Sequence, residues 1–275
     1  MPTPARPAED AVLALAAVLG AHALALFAVL LAVVLAAVML LAWSADRMAR
    51  RRAGRPRHPW VRLGLGVGLG FMLIVAAATL FAEVAEEVVE GGAPQRVDQA
   101  FMDAVQQHTT PSTRAAFGVV TRLGDPPTLT ALAVVVALAL WWRGQRVLAI
   151  AYAAAVGGNA LLNPALKHVF ERVRPLDGQG LPLADGFSFP SGHSSSSLVA
   201  YGMLAYVLLR TLPRAWHLPA VLAASATAFS VGASRVFVQA HFATDVVAGF
   251  ASGSAWLVAC ILSAELALGW KRHVR

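Results

Sequence analysis

The chain has 275 residues, of which 58% are hydrophobic and only 13% are charged. This charged share is about half of what soluble globular domains carry, so the composition argues against a soluble fold and indicates a chain that is largely surrounded by lipid. The net charge is +7, but the basic residues are not interleaved with stacking aromatic residues, so we interpret them as membrane topology signals and expect no nucleic-acid partner.

Seven stretches are long and apolar enough to cross a membrane, for which roughly 20 residues are needed. In chain order they are 17–43, 61–82, 126–142, 147–166, 194–212, 216–233 and 243–264. The first apolar run begins near Ala11 and is longer than one crossing requires, so its helix is expected to tilt or to project from the bilayer. The predicted fold class is an all-α polytopic membrane protein.

The basic residues cluster in the connections on one side of these spans. With seven crossings, that side holds 14 of the 22 Lys and Arg residues but only two of the 15 Asp and Glu residues. Because Lys and Arg concentrate in cytoplasmic loops, we expect an external N-terminus, a cytoplasmic C-terminus and a location in the plasma (inner) membrane. A six-span arrangement with a cytoplasmic N-terminus stays open if the first run does not cross.

The segment 83–125, between the second and third spans, is predicted to form short amphipathic helices that break at Pro111 and Gly124. Four glutamates recur there at helical spacing, and a solvated helix face is favoured over a metal or acid/base role: Glu83, Glu86, Glu87 and Glu90. Glycines four residues apart predict close helix packing in the second span, over 64–70, and in the last span, at Gly249 and Gly253.

Three polar clusters lie at the ends of spans, where ionisable residues are costly and therefore functional candidates. They occupy residues 167–175, 189–193 and 234–245. About 40 residues lie between the second and third clusters, which is the length that two crossings of roughly 30 Å use. The chain therefore crosses and returns, and all three clusters are predicted to meet at the outer membrane surface.

The residue types in these clusters suit phosphate chemistry. Lys167, Arg174 and Arg235 supply three positive charges that can neutralise a phosphoryl group. Ser191 and Gly192 open a helix, where backbone amides and the serine hydroxyl can face an anion. The predicted substrate is therefore the phosphate group of a membrane lipid.

Two histidines and one aspartate complete the predicted site. His241 and Asp245 are four residues apart and share a helix face, so the carboxylate can fix one ring nitrogen while the other nitrogen attacks phosphorus. His193 is then placed to protonate the leaving alkoxide. The sequence contains no zinc or iron–sulfur spacing, and we expect neither a metal nor another cofactor.

These clusters resemble the signature of the type 2 phosphatidic acid phosphatase superfamily: Lys-x6-Arg-Pro, Pro-Ser-Gly-His and Ser-Arg-x5-His-x3-Asp. Every fixed position is filled in order. The resemblance covers roughly 61–265 and implies a six-helix phosphatase domain, preceded over 1–60 by an additional transmembrane helix with a basic loop and followed over 266–275 by a basic cytoplasmic tail. It also implies a phosphohistidine on His241, metal-free catalysis and inhibition by vanadate.

The function predicted from the residues and the resemblance is a lipid phosphate or diphosphate phosphatase acting at the outer face of the membrane. Candidate substrates are undecaprenyl diphosphate, phosphatidylglycerol phosphate, phosphatidic acid and lipid A. Two alternatives stay open, a lipid-to-lipid phosphotransferase and a non-catalytic lipid-binding or transport protein. The sequence determines neither the lipid nor the oligomeric state.

Overall fold

The computed structural model describes residues 7–51, 59–175 and 186–273, and these ranges contain ten α-helices, two short 3-10 turns and no β-strand. The helices are α1 Pro7–Ala21, α2 Ala23–Arg51, α3 Pro59–Glu90, α4 Ala93–His108, α5 Pro111–Val120, α6 Pro126–Trp142, α7 Arg146–Phe170, α8 Gly192–Thr211, α9 His217–Phe237 and α10 Ala243–His273. The all-α prediction is confirmed. Several basic residues of the predicted cytoplasmic side lie outside the described residues: Arg52, Arg55, Arg57 and Arg275.

The first apolar run forms two helices, so the single span predicted over 17–43 is wrong at its start. The helix breaks at His22, whose Nδ1 bonds the carbonyl oxygen of Val18 at 2.9 Å. α2 is the part that is long and apolar enough to cross a membrane. α1 instead packs on α4, where Gly20 approaches the backbone of Phe101 too closely for any side chain.

Five of the described helices meet the length and hydropathy that a crossing requires, namely α2, α3, α7, α9 and α10. The pair formed by α5 and α6, bent by 42°, would be a sixth. α8 falls short of that hydropathy because its first turns contain four consecutive serines, Ser194 to Ser197. α8 packs against α7, α9 and α10, so its polar residues contact protein instead of lipid. The seven predicted spans thus correspond to α2, α3 and α6–α10.

α8 lies at the centre of the helix bundle. Tyr152 of α7 and Val199 and Met203 of α8 are fully buried in the main apolar core. α3 packs on α10 at one side of the bundle, and α2 packs on α9 at another. The surfaces of α2 and α3 that face away from these contacts are apolar and exposed, which is typical of helices surrounded by lipid.

Glycine spacing predicted close packing correctly in α10 and mostly wrongly in α3. A Cβ atom on Gly249 would lie 2.5 Å from the carbonyl oxygen of Ser191, and one on Gly253 would lie 2.9 Å from Cα of Ser195 in α8. Among the described residues, Gly70 packs against α10, and the other three glycines of α3 have no neighbour within 4 Å of a Cβ position. Gly249 therefore brings the start of α10 against the start of α8.

The segment 83–125 begins with a continuation of α3, which was predicted to end at residue 82. The helix runs on to Glu90 because Val84 and Val88 pack against the cluster that contains Phe189. The four glutamates of this segment are all exposed. α4, α5 and the 3-10 turn Thr121–Gly124 follow, which matches the predicted short helices.

Candidate active site

The three polar clusters meet at one end of the bundle, which we call the site end. The end of α9 and the start of α10 carry the third cluster, and the start of α8 carries the second. The amide of Ser191 donates a hydrogen bond of 2.9 Å to the backbone oxygen of Asp245. Nη1 of Arg174, in the first cluster, donates to Nε2 of His241 at 3.2 Å. The structure therefore brings together the clusters that the sequence predicted to converge.

His241 lies in the turn between α9 and α10, and its side chain is only 2% exposed. Its Nδ1 donates to Asp245 Oδ2 at 3.3 Å, while Nε2 faces Arg174. The same carboxylate oxygen accepts a hydrogen bond of 3.0 Å from the amide of Phe242, which fixes the carboxylate over the first turn of α10. Burial, together with the charges of Arg174 and Arg235, lowers the pKa of His241 to about 4 against the opposing effect of Asp245. The ring is therefore neutral at neutral pH.

Lys167 and Arg174 are held at the site end by backbone carbonyl groups. The ammonium group of Lys167 donates to the carbonyl oxygen of Phe187. Nη1 of Arg174 donates to the carbonyl oxygen of Ala240 at 2.6 Å, besides contacting His241. These carbonyl groups help to position the two cationic side chains at the site end.

Arg235 extends from the last turn of α9 at the site end. Its Nη1 donates to the hydroxyl of Thr121 at 2.8 Å. Its Nε is buried and has no hydrogen-bond partner among the described residues. Arg235 interacts electrostatically with Lys167 and Arg174, so three cations share one region. A buried guanidinium N–H without a partner, beside two other cations, is suited to an oxyanion.

His193, the second residue of α8, pairs with a carboxylate that the sequence analysis missed. Its Nε2 lies 2.9 Å from Oδ1 of Asp125, and the two side chains are 19% and 40% exposed. Asp125 lies at the bend between the 3-10 turn and α6. Arg235 and Arg174 both lie close enough to interact electrostatically with His193. The signal in the sequence was a single acidic residue directly before the apolar run 126–142.

Ser191 and Gly192 open α8 next to His193, but not quite as predicted. The hydroxyl of Ser191 caps the helix and accepts bonds from the amide and the hydroxyl of Ser194, at 3.4 and 2.9 Å. The prediction of free amides at this helix start is wrong for Ser191, because its amide bonds Asp245. A Cβ on Gly192 would lie 2.8 Å from Oδ1 of Asn163, so glycine is required by close packing on α7.

A second set of residues that the sequence analysis missed lies around Asp245, on the side of its carboxylate that does not bond His241. Nη1 of Arg172 donates to Asp245 Oδ1 at 2.6 Å, and its Nη2 donates to Asp98 Oδ2 at 2.9 Å. Thr244 donates its hydroxyl proton to Asp98 and accepts a 2.8 Å bond from Arg172. The guanidinium carbon of Arg172 lies 4.3 Å from the ring centroid of Phe242.

Asp98 could have been found by its place on α4. It falls at helical spacing with the apolar residues of the buried face, Phe101, Met102 and Val105. An aspartate in an apolar stripe needs a partner, because a buried unpaired charge is very costly. Burial raises the pKa of Asp98, against the hydrogen bonds from Thr244 and Arg172.

The site places a neutral histidine beside a group of cations. Among the residues that the structure describes, no group of three or more His, Cys, Asp or Glu side chains is placed to hold a metal ion. The neutral ring of His241 is oriented by a carboxylate and faces a cation, which is how a nucleophile beside a bound phosphate is arranged. A helical membrane protein with such a site has the features of a lipid phosphatase.

Comparison with known proteins identifies the family. Residues 147–267 match the PAP2 superfamily. The chain is 34% identical over 190 residues to phosphatidylglycerophosphatase B of Bacillus subtilis, and the match covers 66% of this chain and 86% of that relative. The crystal structure of a transmembrane PAP2 type phosphatidylglycerolphosphate phosphatase from Bacillus subtilis is similar with a TM-score of 0.63 at 30% identity, covering 74% of this chain and 97% of the other. The chain belongs to the PAP2 superfamily and is a multi-pass membrane lipid phosphatase.

Proposed function

We propose that this enzyme hydrolyses the phosphate monoester of phosphatidylglycerol phosphate through a phosphohistidine on His241. The observation that carries the proposal is the orientation of that ring, which has Nδ1 on Asp245 and Nε2 beside Arg174. Nε2 is thus the unprotonated nitrogen of the ring, and it lies beside a cation that can bind the phosphate it attacks. The choice of lipid is supported by the relative and the solved structure, both of which are described as phosphatases of that lipid.

In the first step the substrate phosphate binds between Lys167, Arg174 and Arg235, with further donors from the hydroxyl of Ser191 and the amide of Gly192 at the start of α8. Nε2 of His241 attacks phosphorus, and the bond between phosphorus and the lipid oxygen breaks. His193 gives a proton to the leaving alkoxide. The phosphorylated ring of His241 is positively charged, and the carboxylate of Asp245 stabilises that charge.

In the second step water replaces the histidine. His193, now neutral, accepts a proton from a water molecule as its oxygen attacks phosphorus. The bond between phosphorus and Nε2 breaks, its electron pair returns to His241, and inorganic phosphate leaves. Each histidine is restored to its starting protonation state, so the cycle needs no metal and no other cofactor.

In this proposal the reaction occurs at the outer face of the plasma (inner) membrane. The basic residues Arg143 and Arg210 lie at the end of the bundle opposite His241, and Lys and Arg concentrate on the cytoplasmic side. In this arrangement 61–265 forms the catalytic domain, 1–60 adds a transmembrane helix and a basic loop, and 266–275 is a cytoplasmic tail.

The experiment is a substrate panel with purified protein in detergent and excess chelator. The panel contains phosphatidylglycerol phosphate, phosphatidic acid, undecaprenyl diphosphate and lipid A, and released phosphate is measured. We expect the highest kcat/KM for phosphatidylglycerol phosphate, no loss on chelation and inhibition by vanadate. A phosphoenzyme that is stable in alkali and labile in acid should be trapped in the native enzyme and be absent from His241→Ala.

Three results would contradict parts of the proposal. Loss of activity on chelation would overturn the metal-free mechanism, and turnover by His241→Ala would overturn the phosphohistidine. Phosphate that moves to a second lipid without being released would identify a phosphotransferase that uses the same intermediate. Lipid binding without turnover in the native chain would indicate a non-catalytic protein.

A further inference from the structure

Arg172 joins α4 to the carboxylate that orients His241. Its guanidinium bridges Asp98 of α4 and Asp245 of α10, with side chains that are 8%, 7% and 0% exposed respectively. We call Asp98, Arg172 and Thr244 the clamp. Asp98 lies 49 positions before the first residue that matches the PAP2 superfamily, so this contact comes from outside the matched region.

The clamp restricts Asp245 to one orientation. Oδ1 of Asp245 is occupied by Arg172 at 2.6 Å, which leaves Oδ2 for His241 Nδ1 at 3.3 Å. The second arm of the guanidinium is held by Asp98 and its flat face by the ring of Phe242. Because the guanidinium is planar and rigid, anchoring two of its sides fixes the direction of the third contact.

The clamp also sets the charge beside His241. Arg172 alone would cancel the charge of Asp245, whereas Arg172 with two carboxylates leaves a net negative charge in a buried place. A negative charge stabilises the positively charged ring that forms when His241 attacks phosphorus. Without Asp98, Arg172 would bind Asp245 alone and weaken its interaction with His241.

We propose that Asp98 and Arg172 are positioning residues for the nucleophile, acting through Asp245, and that α4 is thereby a functional part of the active site. The proposal rests on the proposed phosphohistidine mechanism. None of the clamp's hydrogen bonds involves the three cations that face the phosphate. The clamp therefore influences the attack on phosphorus and not the binding of substrate, so its loss is expected to lower kcat and leave KM nearly unchanged.

The test compares Asp98→Asn with Asp103→Asn in full-length protein in detergent. Asp103 lies on the same helix and receives the same change of charge, but it is exposed and, among the described residues, its side chain bonds only Gln99. Turnover is measured per folded molecule, with the folded fraction taken from thermal melting. We expect Asp98→Asn to lose about tenfold in kcat with less than about twofold change in KM, and to form phosphoenzyme correspondingly more slowly.

Two conservative variants separate positioning from structural support. Asp98→Glu keeps the charge and is expected to recover part of kcat, whereas Arg172→Lys removes the planar fork and is expected to lower kcat at unchanged KM. Full kcat per folded molecule in Asp98→Asn or in Arg172→Lys would overturn the proposal. Failure of all three variants to fold would also overturn it, because the clamp would then be structural support alone. An inactive native enzyme would instead refute the proposed function.

Discussion

Asp125→Asn tests whether the carboxylate beside His193 assists proton transfer to the lipid alkoxide. The two groups are 2.9 Å apart, so the carboxylate stabilises the protonated ring that serves as the proton donor. A hydrogen bond to a charged group contributes about 1.5–3 kcal/mol, and a solvent-exposed ion pair contributes about 0–1 kcal/mol. With side chains that are 19% and 40% exposed, this pair falls between the two cases, at about 1.4 kcal/mol or tenfold in rate.

The assay compares two leaving groups. The alkoxide of a lipid phosphate is strongly basic and needs a proton as it leaves, whereas the nitrophenolate of p-nitrophenyl phosphate does not. Asp125→Asn is therefore expected to lose about tenfold in kcat on the lipid and less than about threefold on the aryl ester. The matched control is Asp103→Asn, which should change neither rate. An equal loss on both substrates would refute the reasoning, because Asp125 would then act on binding or on folding instead of on proton transfer.

Three further predictions concern the titration of His241 and the packing of α10 on α8. Burial holds the pKa of His241 at about 4, so kcat/KM should stay high down to about pH 5, and a pH–rate profile with an acid limb near pH 6.5 would contradict this. In the unfolded chain His241 takes up a proton near pH 6.5, whereas in the folded protein it stays neutral until about pH 4. The melting temperature should therefore decrease as the pH is lowered from about 6.5 to about 4. Gly249→Ala puts a Cβ 2.5 Å from the backbone oxygen of Ser191, so it should cost about 1–3 kcal/mol of stability and slow turnover. Gly66→Ala, which meets no neighbour, should melt and turn over like the native enzyme, and equal effects of the two variants would contradict the packing argument.

Much of the fold could be predicted because it depends on properties of short stretches. Apolar composition located a helix at each of the seven predicted spans, and the rise per residue of a helix predicted that the second and third polar clusters return to one end. The hydrogen bond from the amide of Ser191 to the backbone oxygen of Asp245 agrees with that prediction. The break at His22 and the extension of α3 to Glu90 could not be predicted in this way, because both depend on packing against distant segments.

The same limit explains which site residues were missed. Residues within a short motif, such as His241 and Asp245, reveal their relation through their spacing. Asp98 and Asp125 act on partners 74 and 68 positions away, and no local pattern marks such a pair. Arg172 lies inside a recognised motif, but at one of its variable positions, so the motif gave it no role. These three residues surround the ones that were predicted.

The hydropathy of α8 follows from its position at the site. The first turns of α8, at the site end, carry small polar residues, and these would be unfavourable against lipid. In this protein they bond the neighbouring helix, where Nδ2 of Asn159 donates to Ser196 at 2.9 Å and Nδ2 of Asn163 donates to Ser195 at 3.3 Å. Because α7, α9 and α10 surround α8, its polar groups are satisfied within the protein. Low hydropathy in this span therefore indicates a helix at the centre of the bundle that carries part of the active site.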